Sequence, residues 1–393
     1  MRTTIALIAL SLTIISCKRQ SEKKWSVRMA DNIMTISDSL HHYDFAVDTI
    51  RTFKLGVAYD VAMTGMAIDK LGHIDARYTK YMDDYVNLFL DDSGIVYKYN
   101  IEEYNIDKIN FGKHLLTLYE RTGEEKYRIA IERYVEQMRH HPKTAEGAYW
   151  HKKKYPHQMW LDGLYMGMPF LARYARDFNQ PEWFDVAANQ IKIAYRKTLD
   201  PQTGLLYHAQ DESKAERWAD PETGQSPSFW GRAMGWYMMA VVDVLEYLPE
   251  NHKDRDDIIL ILNHVSEALL RVRDPDTGLW YQVLDMGGRE GNYLETSGSA
   301  MFIYAFAKGA NRGYLPRKYL KIAGDAFDQM VEKLVVEEEN GLITLTNASG
   351  GCGLGGSNPY RSGAYDYYVS VRRVGNDVKA VGPFIFAAIE LDK

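Results

Sequence analysis

Cysteine is nearly missing from this chain: Cys17 and Cys352 are the only two among 393 residues. A disulfide framework is thereby excluded, and no intramolecular bridge at all survives if Cys17 carries a lipid. Positive charge is not in excess either. The 47 Lys and Arg face 53 Asp and Glu, a net charge of −6, so the electrostatic footprint of a nucleic-acid binder is absent. Zinc-site spacing is lacking, because His140-His141, His151 and His157 do not follow its intervals; no metal or other cofactor is expected. The run GGCGLGG (350–356) contains GxGxxG from Gly351 to Gly356, but Pro359 follows where a helix would have to open, which excludes a dinucleotide loop. It reads instead as a wide loop carrying YRSGAYDYY (360–368) toward a cleft.

The N-terminus lacks a hydrophobic run of spanning length. In MRTTIALIALSLTIISC, Arg2 precedes an apolar stretch from Ile5 to Ile15, the size of a signal-peptide core rather than a membrane helix. Ile14-Ile15-Ser16-Cys17 resembles a bacterial lipobox. The expectation is a signal peptide over 1–16, a lipidated Cys17 heading a polar tether over 17–25, and a single catalytic domain over 26–393. The chain would then sit at the cell envelope as a membrane-anchored lipoprotein facing the periplasm. A plain secretory signal or an uncleaved anchor is the alternative.

What the chain has in abundance is aromatic residues: 28 Tyr, 13 Phe and 8 Trp, 12% of the total. Most serve a large core, and a surplus of Tyr and Trp also suits a cleft that stacks on sugar faces. A phrase recurs: DDSGIVYKY (91–99), TAEGAYWHK (144–152), DPQTGLLYH (200–208), DPDTGLWYQ (274–282) and EEENGLITL (337–345). Each is a polar turn, a glycine and a few extended residues. The glycines at 94, 147, 204, 278 and 341 are 53, 57, 74 and 63 residues apart, one supersecondary unit per interval. Between the phrases lie pairs of helical segments, about twelve in all by periodicity. In each pair one member is apolar nearly all round, as in SFWGRAMGWYMMAVVDVLEYL, and the other amphipathic, as in PRKYLKIAGDAFDQMVEKLV. Two concentric helical layers follow. The fold expected is all-α, an (α/α)6 toroid of six hairpins with a funnel at one end, an unclosed superhelix being the alternative.

The funnel would be lined by the first turns of the inner helices. Asp162, in PHQMWLDGLYMGMPF (156–170), has Trp160, Leu161, Leu164 and Met166 around it. A carboxyl among apolar groups holds its proton, the condition for a general acid. Asp107, in NIDKIN, takes the corresponding place one inner helix earlier, although a charge favoured by a helix N-terminus explains it equally well. FWGRAMGW (229–236) offers Trp230, Arg232 and Trp236, indoles to stack on a sugar and a guanidinium to clamp a carboxylate. A helix-surface ion pair is the other reading of Arg232. His151 and His208 end two of the turn phrases at equivalent positions, and Arg361 is a second anion contact.

WLDGLYMG with its upstream Pro-His-Gln, SFWGRAMGW, DPQTGLLYHAQDES and PYRSGAYDYY closely resemble the unsaturated rhamnogalacturonyl hydrolases, glycoside hydrolase family 105, and more distantly the unsaturated glucuronyl hydrolases. The resemblance runs from about Asp107 to the C-terminus. Before it, the aromatic-acidic opening usual for the family's first inner helix is replaced by FKLGVAYDVAM. The resemblance implies that Asp162 is the general acid and base, Asp107 its assisting aspartate, and that His151, His208, Trp230, Arg232, Trp236 and Arg361 contact substrate. It implies an oligosaccharide substrate ending in a uronate with a C4=C5 double bond, protonated at C4 and hydrated at C5. A conventional inverting glycosidase, with two carboxylates about 6.5–9.5 Å apart, a glucuronyl-specific enzyme and a non-catalytic sugar-binding lipoprotein are the competing readings.

Overall fold

The computed structural model describes residues 23–42 and 56–393. The signal peptide, Cys17 and most of the tether lie outside the described residues. Six helices form an inner ring: α2 (Tyr59–Asp69), α4 (Gly112–Thr122), α6 (Asp162–Asp177), α8 (Gly231–Tyr247), α10 (Thr296–Asn311) and α13 (Val378–Leu391). Six more surround them: α1 (Trp25–Ile36), α3 (Ala76–Phe89), α5 (Glu125–His140), α7 (Glu182–Thr198), α9 (Arg255–Arg271) and α11 (Lys318–Leu334). A short α12 (Tyr365–Ser370) lies between α11 and α13. Inner neighbours pack in chain order, and α13 closes the ring against α2 while α1 covers α13 from outside. This is an (α/α)6 toroid.

Burial follows the two sequence patterns. Every residue of α10 from Thr296 to Ala310 is buried, whereas α11 buries only Tyr319, Ala323, Ala326, Phe327, Met330 and Leu334, a stripe at helical spacing. Each large apolar side chain in such a stripe contributes about 1.5–3 kcal/mol. The recurring turn glycines, Gly94, Gly147, Gly204, Gly278 and Gly341, all take a positive φ between 71° and 93°, the left-handed conformation that side chains resist. In the phrases beginning at Asp200 and Asp274, the aspartate accepts from the backbone and hydroxyl of the threonine three residues on, so the turn is closed locally.

Inner helices run from the wide end of the barrel to the narrow end, and the outer helices return. Three short antiparallel ladders decorate the loops: β1 (Gln158–Trp160) with β2 (Ala209–Asp211), β3 (Val335–Glu337) with β4 (Ile343–Leu345), and β5 (Ala348–Ser349) with β6 (Arg373–Val374). Two boundaries differ from the sequence reading. The first inner helix begins at Tyr59 rather than near residue 55, and Asp107 lies in a 3-10 stretch, Ile106–Phe111, leading into α4. Among the described residues no helix is long and apolar enough to cross a membrane.

Candidate active site

The ladder between β1 and β2 builds the centre of the wide end. It pairs Trp160 with Ala209, and the Leu161 amide donates to the His208 carbonyl at 3.0 Å, so Asp162 and His208 leave the ladder side by side. Asp162 is the first residue of α6, where unpaired helix N–H groups favour a negative charge. Its sequence neighbours do not enclose it: Leu161, Leu164 and Met166 turn into the core, and the carboxylate stays 16% exposed. One carboxylate oxygen lies 3.1 Å from His208 Nε2, and His208 Nδ1 lies 2.7 Å from the Tyr368 hydroxyl. His208 is fully buried and therefore fixed in direction at both ring nitrogens.

Asp107 belongs to a different set of partners. Its Oδ2 meets Lys152 Nζ at 2.5 Å and its Oδ1 lies 3.6 Å from His151 Nε2. Burial pushes this carboxyl upward, but the charge and hydrogen bond of Lys152 outweigh it and hold the group below its ordinary value. Burial draws His151 down to about 4, against the pull of Asp107, so its ring is neutral at physiological pH. The ring stacks on Trp160 at 4.6 Å and 4°, and Trp160 meets the edge of His208 at 5.3 Å. One indole thus joins the two carboxylate centres.

Trp230 precedes α8 and lies 4.7 Å from the His208 ring and 5.7 Å from Tyr368, with its Nε1 donating to Gln282 at 3.1 Å. Arg232 is beside it, its guanidinium carbon 5.0 Å from the Trp230 ring. This arginine is no surface ion pair: it is 1% exposed and donates to Ser297 Oγ at 3.2 Å and the Ser349 carbonyl at 2.8 Å. Glu295 stands behind, capping α10 through the amides of Ser297 and Gly298 and holding the Ser349 amide at 2.9 Å. Gly298 permits the approach, since a Cβ there would lie 3.0 Å from the Gly231 backbone. Trp236 departs from the grouping expected of it. One and a half turns further along α8, it stacks on Tyr165 inside the barrel at 5.1 Å, beneath the site rather than on its wall.

Arg361 fastens the rim. Its Nε donates to the Gly355 carbonyl and one Nη to the Leu354 carbonyl, both at 3.0 Å, and the same Nη reaches the Tyr155 hydroxyl at 3.5 Å. The loop around Gly353 therefore folds over the funnel, as its glycines suggested, and delivers Tyr368 to His208. Lys152, Tyr155, Trp160 and Tyr368 join the site without having been singled out in the sequence. So does Tyr59, whose phenol burial and the fields of Asp60, Asp107 and Asp162 push well above its ordinary value. Tyr59-Asp60 supplies an aromatic-acidic start to α2 after all, within FKLGVAYDVAM.

The profile described as Glycosyl Hydrolase Family 88 matches residues 25–393. A solved glycoside hydrolase of family 105 from C. acetobutylicum superposes with a TM-score of 0.88 at 43% identity, covering 94% of this chain and 99% of that one. The chain belongs to these glycoside hydrolases of families 88 and 105. The hydrolase is also similar to Protein Atu3128 of Agrobacterium fabrum, 40% identical over 233 residues, which are 57% of this chain and 97% of that protein. With the unsaturated rhamnogalacturonyl hydrolase YesR of Bacillus subtilis it shares 28% identity over 312 residues, 76% of this chain and 85% of that one.

One trio with the geometry of a metal site lies elsewhere on the hydrolase: Asp185, His252 and Asp254. Lys253 and Lys192 already pair with its two carboxylates, so the charge that would hold a cation is taken.

Proposed function

We propose that the hydrolase removes a 4,5-unsaturated uronate, galacturonate-derived, from the non-reducing end of lyase-generated oligosaccharides such as rhamnogalacturonan fragments. The observation that carries the reading is the inequality of the two carboxylates. Asp107 is tied to Lys152 and His151 and held ionised, while Asp162 keeps an open side and, among the described residues, pairs with His208 alone. A conventional inverting reaction divides acid and base between two free carboxyls; here one is free.

Hydration of a vinyl ether needs only one. Asp162 gives its proton to C4, the ring oxygen stabilises the cation at C5, and the resulting carboxylate takes a proton from the water that adds there. The hemiketal formed at C5 opens and the aglycone leaves. His208 orients the carboxylate, and Asp107 with Lys152 supplies a fixed dipole across the pocket. Trp160 and Trp230 are buried, 6% and 1% exposed, and hold the rings of His151 and His208 in place. The similarity to the rhamnogalacturonyl hydrolase of Bacillus subtilis supports the galacturonate assignment.

Turnover in heavy water tests the mechanism, because protonation at carbon leaves one deuterium at C4 of the released keto-uronate. A product without carbon-bound deuterium would overturn the hydration route. The same preparation, given unsaturated galacturonyl and glucuronyl oligosaccharides and followed by loss of ultraviolet absorbance, decides the sugar. For location, we propose that Cys17 is acylated and tethers the enzyme at the envelope; detergent partitioning of the wild type and Cys17→Ala checks it.

A further inference from the structure

A second polar cavity of about 110 Å³ opens at the narrow end of the barrel, beyond Trp236 and Tyr165 and away from the funnel. Two of its three acids are already engaged: Lys308, 4% exposed, binds Asp243 and Glu246 at 2.7 Å each, and Glu246 also takes Arg312. The third, Asp69, lies 3.6 Å from Arg121 and 4.0 Å from His114, which lines the cavity and also faces Asp83, and its Oδ1 has no hydrogen-bond partner among the described residues. Among the cations lining the cavity, Arg173 finds Glu120 and Asp177 outside it. Two ammonium groups are left, Lys113 on α4 and Lys70 at the end of α2, and neither forms an ion pair among the described residues.

Lys113 has a reason to be there that explains only one of its three donors. Pro169 lies inside α6 and has no N–H, so the carbonyl four residues earlier, on Tyr165, loses its helical partner. Lys113 Nζ replaces it at 2.6 Å and rests 3.3 Å from the centre of the Tyr165 ring. Among the described residues the remaining donors have no oxygen or nitrogen acceptor.

We propose that this cavity is a binding site for a small oxyanion, such as sulfate, phosphate or a short carboxylate, held between Lys113 and Lys70. The cavity, about 110 Å³, has room for a compact anion. Loss of hydration draws the Lys113 ammonium down to about 7, with Asp243 opposing and Lys308 assisting. Folding thus weakens proton binding at Lys113, and an anion that pairs with the charged form restores it. Anion binding takes up a proton and strengthens as pH falls through about 7.

The test is thermal unfolding of the whole protein in sulfate against chloride at matched ionic strength, at pH 6 and pH 8. Sulfate stabilises folded proteins in general, so the quantity read is the gain in Tm of the wild type over Lys113→Met and Lys70→Met. The expected result is an extra rise of several degrees, larger at pH 6, that both variants lose and Asp162→Asn keeps. Should Lys113→Met fail to fold, Lys70→Met at the cavity mouth still decides. Equal sulfate gains in wild type and Lys70→Met overturn the proposal, as does a gain that Asp162→Asn abolishes, which places the anion in the funnel.

Discussion

At the wide end the inner helices present their N-termini, and the charged groups in their opening turns are mainly carboxylates: Asp60, Asp107, Asp162 and Glu295. At the narrow end the same helices present C-termini, and Lys70, Arg121, Arg176 and Lys308 gather there. The helix dipole favours both arrangements, by about 0.3–1 kcal/mol per group. What differs is how the charges are met. Asp162 faces a histidine ring and open space, whereas Lys308 is clasped by two carboxylates and a tyrosine hydroxyl. The wide end leaves one carboxylate uncommitted; the narrow end commits Asp243 and Glu246 to structure.

Four substitutions sharpen that contrast. The largest effect belongs to Asp162→Asn, which keeps shape but can neither give nor take a proton; turnover should fall by roughly a thousandfold or more, with far-ultraviolet circular dichroism unchanged. Retention of a tenth of wild-type activity would remove Asp162 from its role. Next is Lys308→Met, which leaves Asp243 and part of Glu246 without a buried cation and should cost about 3–5 kcal/mol in urea unfolding. An unshifted midpoint would mean that the narrow-end pairs are dispensable.

Arg232→Lys comes third. It keeps charge but loses the fork that serves Ser297 and the Ser349 carbonyl, at a cost of about 1.5–3 kcal/mol. A rise in KM with unaltered proteolysis near Ser349 assigns the arginine to substrate; faster cleavage with unaltered KM assigns it to the loop. The smallest effect is expected from Lys152→Met. With Lys152 present, the Asp107 carboxyl is held down, so its ionised form and the stability it brings persist above the usual carboxylate range and are lost only as pH falls through the lowered value. Removing the lysine takes away the largest opposition to burial. The acid limb of the pH–rate profile should then move to higher pH, and an unmoved limb would show that Asp107 does not titrate in turnover.

Periodicity carried the two layers because an inner and an outer helix bury different fractions of their surface, and that difference is written in composition. The turn glycines were legible for a local reason, their positive φ. Asp162 was picked out as the one acid of an apolar stretch and His208 at the end of a repeated phrase. Their direct contact was not, since it depends on a ladder pairing residues 158–160 with 209–211. Arg232 finds Ser349 117 positions away, and His208 finds Tyr368 160 positions away, distances that no local pattern encodes. Trp236 was placed with Trp230 by spacing, yet a helix carries residue i+6 more than a turn deeper, into the barrel. Tyr59 escaped notice because its surroundings, GVAYDVAM, read as core.

The ring is joined by the two extremities of the described chain. Trp25 packs edge-on against Phe384 at 6.4 Å, and Ser26 reaches Asp392 across 366 positions. During synthesis the faces of α2 and α1 that pack on α13 therefore have no partner until that helix is made. Closing so long a loop is entropically slow, and the waiting faces are the kind of surface that aggregates. A chain that stalls or is clipped before α13 lacks the seam that turns a curved sheet of helices into a barrel. Completion of the C-terminal helix is thus the event that commits this protein to its shape.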